Sequence, residues 1–493
     1  MHEENIYRLL RSGQLENVTI GLQLAESLQV NIDTLTDQIE QLYLLHWLVE
    51  HSEVSLEEKI VDIYSRKTLD LSNKGLTQLP DILAQLTELE MLRINQNQLT
   101  ELPDFIRKLT ALKHLNLSGN QLMSLPEWIG ELTSLTYLNL DNNKLVKLPD
   151  SIGDLKYLES LSLQKNAIQS LSNSIGNLKN LTYIDLSRNQ FSEFPEPITT
   201  LSQLTYLSLY ENHLSTLPGS IGNLTKLQTL GLSNNQLISL PESIGKLKDL
   251  VWLYLEYNQL VALPQSIGNL TSLVGFYMNH NQLTEIPDAI CELVELLYMS
   301  LSKNYFTVVP EGIGRLCKLE ELDLSDNQFS YLPDSLENLT VLSVLDISDN
   351  LFSELPKSIC QLIDLSELNI SGNLLSTLPK SLKNLTYLTK LDMSSNRFKT
   401  LPVYIKSLRN LRELQLQQNQ LTELPEWISN LSMLDKLNLS ANQLRFLPET
   451  IGNLNYLSYL NLTNNQFNGI PAVIRKMPRL VEVDLTGSTD NVQ

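Results

Sequence analysis

The sequence predicts an α/β solenoid made of stacked copies of one short unit, and three columns of residues carry that prediction. Counting in steps of 23 from Pro80 meets Pro103, Pro126 and Pro149, then Ser172, then Pro195 and onward to Pro471, so seventeen of eighteen positions are proline. The same step from Asn97 meets Asn at every unit to Asn465, with Lys74 as the departure at the front. Leu86, Leu109 and their successors to Leu454 are leucine in all seventeen units, and no insertion breaks the register. A unit this short cannot bury its own apolar face, so recurrence at one period marks a chain whose neighbouring units complete each other's core.

Taken in order along the chain, residues 1–62 lack the repeat and read as helices. Leu35, Ile39, Leu42, Leu45 and Val49 recur at close to helical spacing, and Asn17 and Asp33 are expected N-caps. This region carries twelve acids against three bases. It is expected to cap the first repeat, because an end unit otherwise exposes leucines and a sheet edge; a docking module is the alternative. The repeat region spans 63–493, about eighteen units followed by a half unit in which Glu482 and Asp484 face outward.

Within each unit the x-L-x-L-x run alternates apolar and polar, which makes it a short strand with leucines on one face. At about 4.8 Å per strand, eighteen parallel strands give an inner edge of roughly 85 Å. The recurrent Asn follows the strand, where its amide can donate to and accept from backbone groups that leave the ladder. The Pro pre-sets the backbone for a short helix or irregular segment. Eleven of the seventeen prolines are followed by Asp or Glu, where a carboxylate suits a helix N-terminus. Phe191, Phe306, Phe329, Phe352, Phe398 and Phe467 share the Leu column two residues after the Asn and read as a core spine. Trp128 and Trp427 fall two residues after their prolines and are expected to cover that spine.

The unit L-x-x-L-x-L-x-x-N-x-L, as in LTALKHLNLSGNQL at 109–122, resembles that of leucine-rich repeat proteins over roughly residues 63–488. The resemblance implies a horseshoe with a parallel concave sheet and short convex segments. The added LPxxIGxL segment is similar to the subgroup containing Ras-binding and cell-polarity scaffolds, which implies an intracellular, non-catalytic role in protein interaction.

Composition narrows the remaining choices. A formal charge of -20 and a pI near 4.8 argue against binding nucleic acid or an anionic membrane. The opening MHEENIYRLLRSG lacks an apolar h-region, and no apolar run approaches 18 residues, so neither a secretory signal nor membrane insertion is expected. Three cysteines cannot form a disulfide framework, and an odd number fits a reducing, cytoplasmic location. Cys291 and Cys360 occupy a column usually held by Gly and are expected to be small buried thiols. No phosphate-binding, zinc-protease or nucleophile-elbow motif occurs, and the six histidines lack metal-ligand spacing. No cofactor, metal or catalytic residue is expected.

The outward strand positions lie six, four, two and one residues before each Asn. Most hold Ser, Asn, Asp or Gln, but a run of six neighbouring units carries Tyr183, Tyr206, Tyr210, Trp252, Tyr254, Tyr257, Tyr277 and Tyr298 on five of its members. Tyr254 and Tyr277 share a column on adjacent strands, which sets their rings roughly 5 Å apart. Clustered Tyr and Trp on a polar face fit a binding hot spot; packing across the strands is the plainer reading. Past residue 316 the same columns turn acidic through Glu321, Asp323, Asp326, Asp346, Asp349, Glu367, Asp392 and Glu413, interrupted by Lys390. A partner with a basic flank would be steered there. The expected function is a scaffold that binds a protein or peptide on its concave face. The alternatives are a receptor for a small or carbohydrate ligand and a protein that assembles end to end.

Overall fold

The computed structural model describes residues 2–47, 55–477, 479–484 and 486. The chain divides into two compact units, Met1–Asn235 and Gln236–Gln493.

Among its described residues the first unit begins with four helices, α1 (His2–Leu10), α2 (Leu15–Ser27), α3 (Asp33–Trp47) and α4 (Leu56–Ser65). The caps differ from expectation. Helix α2 starts ahead of Asn17, with Gln14 in the N-cap position, and the Asn17 amide donates to Gln14 Oε1 at 3.0 Å. Asp33 is already helical, and its backbone N–H donates to Asn31 Oδ1 at 2.8 Å. Ser55 and Glu58 form a reciprocal capping box on α4. Leu35, Ile39 and Leu42 of α3 are buried, as their spacing predicts, whereas Val49 lies outside the described residues. Helix α3 packs on the 3₁₀ turn Asp81–Gln85, and the Tyr64 hydroxyl donates to Gln85 Oε1 at 2.6 Å.

Eight parallel strands follow in this unit, from Thr68–Asp70 to Thr229–Gly231. The described residues of the second unit hold eleven, from Trp252–Tyr254 to Glu482–Asp484, the last supplied by the half unit. Within each unit every strand pairs with the next at a step of 23 residues, as in Tyr277↔Ser300. The register therefore lays each column of the sequence across the sheet as a row. Leucines on the inner face, such as Leu253 and Leu255, are fully buried, and the six spine phenylalanines are buried with them. Phe306 and Phe329 pack at 6.3 Å between ring centroids.

The recurrent Asn works as its position predicts. In the second unit, Asn281 Oδ1 accepts from the Leu260 N–H at 3.0 Å, while its amide donates to the carbonyls of Leu255 and Met278 at 2.9 and 3.0 Å. In the first, Asn143 accepts from Leu122 and donates to Leu117 and Leu140, each at 3.0 Å. These are the groups that leave the strand ladder, so the amide replaces sheet hydrogen bonds where the chain turns. The residue before the Asn takes left-handed backbone in most units, with φ of 57° at Lys165 and 53° at Tyr257.

The segment after each Pro is a five-residue 3₁₀ helix such as Gln265–Asn269, with Pro264 at its N-cap (φ -70°). Where Ser172 replaces Pro, its Oγ accepts from the Ser174 N–H at 3.3 Å. Successive 3₁₀ turns pack so closely that a Cβ on Gly245 would stand 2.4 Å from the Ser266 carbonyl oxygen. Cys291 occupies the same column and is buried, and the residue facing it is Gly312, where a Cβ would stand 2.8 Å from the sulfur. Cys360 is likewise buried, and Cys317 is exposed. Trp128 is buried with its indole N–H donating to Asp104 Oδ1 at 2.8 Å, and Trp427 is half-buried.

Candidate functional site

In the second unit, strands Trp252–Tyr254, Gly275–Tyr277 and Tyr298–Ser300 pair in register, with Gly275 between Trp252 and Tyr298 and Tyr277 beside Tyr254. Alternation sends Leu253, Phe276 and Met299 into the core and leaves four rings on the other face, all half-buried. Gly275 leaves a gap, and the Trp252 ring leans into it. A Cβ at 275 would lie 2.2 Å from Trp252 Cε3 and 2.3 Å from Cζ3. From there the indole lies 6.1 Å from the Tyr298 ring, 6.3 Å from Tyr254 and 6.5 Å from Tyr277, with interplanar angles between 7° and 18°. Tyr254 and Tyr277 stack at 5.3 Å and 6°, matching the spacing expected of their shared column.

Rings set parallel at centroid separations of 5.3 to 6.5 Å are offset from one another, so this shelf presents apolar ring surface with polar tips. Burial, followed by the fields of Tyr254 and Glu321, pushes the Tyr277 hydroxyl up to about 12. It is therefore a neutral donor throughout the physiological range.

The other sequence-derived residues stand in separate groups. Tyr257 is 49% exposed and stacks on His280 at 4.0 Å, apart from the four-ring set, because its left-handed backbone takes it out of the strand. In the first unit Tyr183 and Tyr206 stack at 4.4 Å and 11°. Beside them Asp185 is 8% exposed and accepts from the Ser187 N–H and Oγ–H at 2.8 and 2.5 Å. Burial first, then the Asp185 charge, raises the Tyr183 pKa. Tyr210 joins an ionic group instead. Its hydroxyl donates to Glu211 at 2.8 Å and the Arg188 guanidinium lies 5.7 Å from its ring.

The acidic columns have a local role that the sequence reading missed. Asp323, Asp346 and Asp392 each accept from the N–H and the Oγ–H of the serine two residues on, at 2.6 to 3.0 Å. These are Asx turns that end the strand, and the D-x-S spacing was the signal for them. Asn369 makes the same turn with Ser371. His280 and Gly275 were also missed, the first because a lone histidine carries no motif and the second because a glycine shows its use only in three dimensions. Among the described residues no three His, Cys, Asp or Glu side chains form a metal-binding group, and no helix is long and apolar enough to cross a membrane.

A family model described as a leucine-rich repeat region matches residues 121–205, 195–275 and 395–493. A second, described as leucine rich repeat, matches 67–122, 87–145, 295–352 and 340–398. No curated protein matches the sequence. Among solved structures, a leucine-rich repeat protein of Leptospira interrogans is 35% identical, with 77% of this chain and 91% of that one covered and a TM-score of 0.66. YopM from Yersinia enterocolitica is 26% identical over 90% of this chain and 100% of that one, with a TM-score of 0.62. The plant peptide hormone receptor RGFR1, solved in complex with RGF2, is 26% identical over 85% and 86%, with a TM-score of 0.58. The repeat period, the strand register and these matches agree: the chain belongs to the leucine-rich repeat family.

Proposed function

We propose that this protein is a non-catalytic interaction scaffold that binds a protein or peptide on the outward face of its sheet, through Trp252, Tyr254, Tyr277 and Tyr298. One observation carries the reading: four large rings sit half-buried in parallel on one face of three neighbouring strands. Such a set offers apolar area and polar tips on side chains with little rotamer freedom left to lose, which is the make-up of a binding hot spot. The plant receptor solved with a peptide hormone shows that a relative of this fold takes such a partner, and that supports the reading.

The peptide reading is preferred over a small or carbohydrate ligand because a relative of this fold, a plant peptide hormone receptor, is solved in complex with RGF2. The cytoplasmic placement expected from the unpaired cysteines belongs to the same proposal.

The test is affinity purification from the native cell with the wild type and with Trp252→Ala plus Tyr254→Ala, followed by mass spectrometry of what co-elutes. The double variant should lose the specific partner while its circular dichroism is unchanged. An identical set of captured proteins from a folded double variant would end the proposal.

A further inference from the structure

In the second unit the aromatic shelf gives way, strand by strand, to a face with an excess of acid. From Glu321–Asp323 to Glu413–Gln415 the outward columns hold Glu321, Asp323, Asp326, Asp346, Asp349, Glu367, Asp392 and Glu413 against Lys390 alone. Lys390 pairs with Glu367 at 3.0 Å. Asp323 and Asp346 are direct cross-strand partners, a like-charge placement that destabilises a sheet. The Asx turn does not explain the charge, because Asn369 makes the same two hydrogen bonds without one. Nor is the carboxylate at ease, since burial raises the Asp346 pKa despite its hydrogen bonds from Ser348 and Asn369. Between these side chains the sheet face opens a recess of about 220 Å³ lined by Asp346, Glu367, Asn369, Lys390, Asp392 and Glu413.

We propose that this recess and the carboxylates around it seat lysine or arginine side chains of an extended peptide segment whose apolar anchor lies on the Trp252–Tyr298 shelf. The inference rests on the shelf reading above and adds the chemistry of the partner. Its geometry follows from the strand ladder. Glu367 lies three strands beyond Tyr298 and five beyond Trp252, which is about 14 to 24 Å at 4.8 Å per strand. An extended chain covers that distance in about four to seven residues. The partner therefore carries an aromatic or large aliphatic residue with a basic residue about four to seven positions away. Charge complementarity selects this occupant: a face with eight carboxylates and one ammonium favours cationic side chains and repels acidic ones.

The test is a random linear peptide library panned on the full chain, on the triple variant Asp323→Asn, Asp346→Asn, Asp392→Asn, and on Trp252→Ala plus Tyr254→Ala. The triple variant keeps every Asx turn, as Asn369 demonstrates, and denaturant unfolding checks that it is folded. The wild type should enrich peptides with an anchor and a Lys or Arg at the stated offset. The triple variant should enrich the anchor with a weaker preference for the basic residue and bind the wild-type peptides about tenfold more weakly at low salt, a difference that shrinks as salt screens it. Equal binding by the triple variant, or basic residues at no fixed offset, overturns this inference and leaves the shelf intact. No anchored peptide from the wild type, or no loss in the Trp252 and Tyr254 variant, overturns the shelf reading as well.

Discussion

Replacing Gly275 with alanine tests whether the missing side chain is what holds Trp252 in place. Gly275 lies outside the left-handed region, so backbone preference alone favours alanine in a strand by about 0.5–1 kcal/mol. The new Cβ would stand 2.2 and 2.3 Å from Trp252 and 3.1 Å from Tyr277 Cε2. Restoring an ordinary carbon contact of about 3.5 Å requires the indole to move by more than ~1 Å. Overpacking of that kind costs about 1–3 kcal/mol, and the displaced ring loses contacts worth about 0.5–1.5 kcal/mol. The net expectation is destabilisation of about 1–3 kcal/mol. The assay is denaturant unfolding of wild type, Gly275→Ala, Trp252→Ala and the double variant, with tryptophan emission recorded for each. Once the Trp252 ring is removed the nearest atom left to the added methyl is Tyr277 Cε2 at 3.1 Å, so the double variant should be more stable than the sum of the single losses predicts. Gly231→Ala is the control, because its Cβ would stand 3.2 Å from nothing larger than Ser208 Oγ. Additive single losses, or a Gly275→Ala protein with wild-type stability and unshifted emission, would refute the reasoning.

Three further outcomes are expected. Asn281→Leu leaves the Leu260 N–H and the Leu255 and Met278 carbonyls without their partner; it should cost about 1–3 kcal/mol, with faster amide exchange at Leu260 than in wild type. Asp346 binds its proton more tightly folded than unfolded, because burial lifts it above the usual aspartate value of 3.8. Its contribution is therefore fully present below that value and is lost as pH rises through the raised one. Unfolding curves should show wild type gaining on Asp346→Asn as pH falls from neutral toward the aspartate range, and a flat difference would contradict this. Cys317 is exposed while Cys360 is buried, and burial pushes the Cys291 thiol up to about 11. A thiol reagent at mildly alkaline pH should label one cysteine in the native protein and all three after denaturation.

Much of the fold was legible because the repeat never slips. A fixed step of 23 makes each residue's lateral neighbour the residue one unit away, so Tyr254 beside Tyr277 and the phenylalanine spine could be placed by counting. The helix starts were less legible. Asn17 is a good capping residue by type, yet α2 begins ahead of it, and a side chain fit for a cap says nothing about whether packing extends the helix past it. The Asp columns were legible as charge but were not read as turns, although the serine two residues on was in plain view.

The sequence by itself determined the period, the inward leucines, the Asn ladder and which columns carry rings or acid, because each follows from alternation and a constant register. Only the tertiary structure decided that Trp252 folds over Gly275 toward Tyr298, that Tyr257 leaves the shelf for His280, and that Gly312 makes room for Cys291. Those outcomes depend on the direction a side chain leans once its neighbours have taken their volume. A column of letters gives the neighbour's identity, and close packing in three dimensions settles the rest.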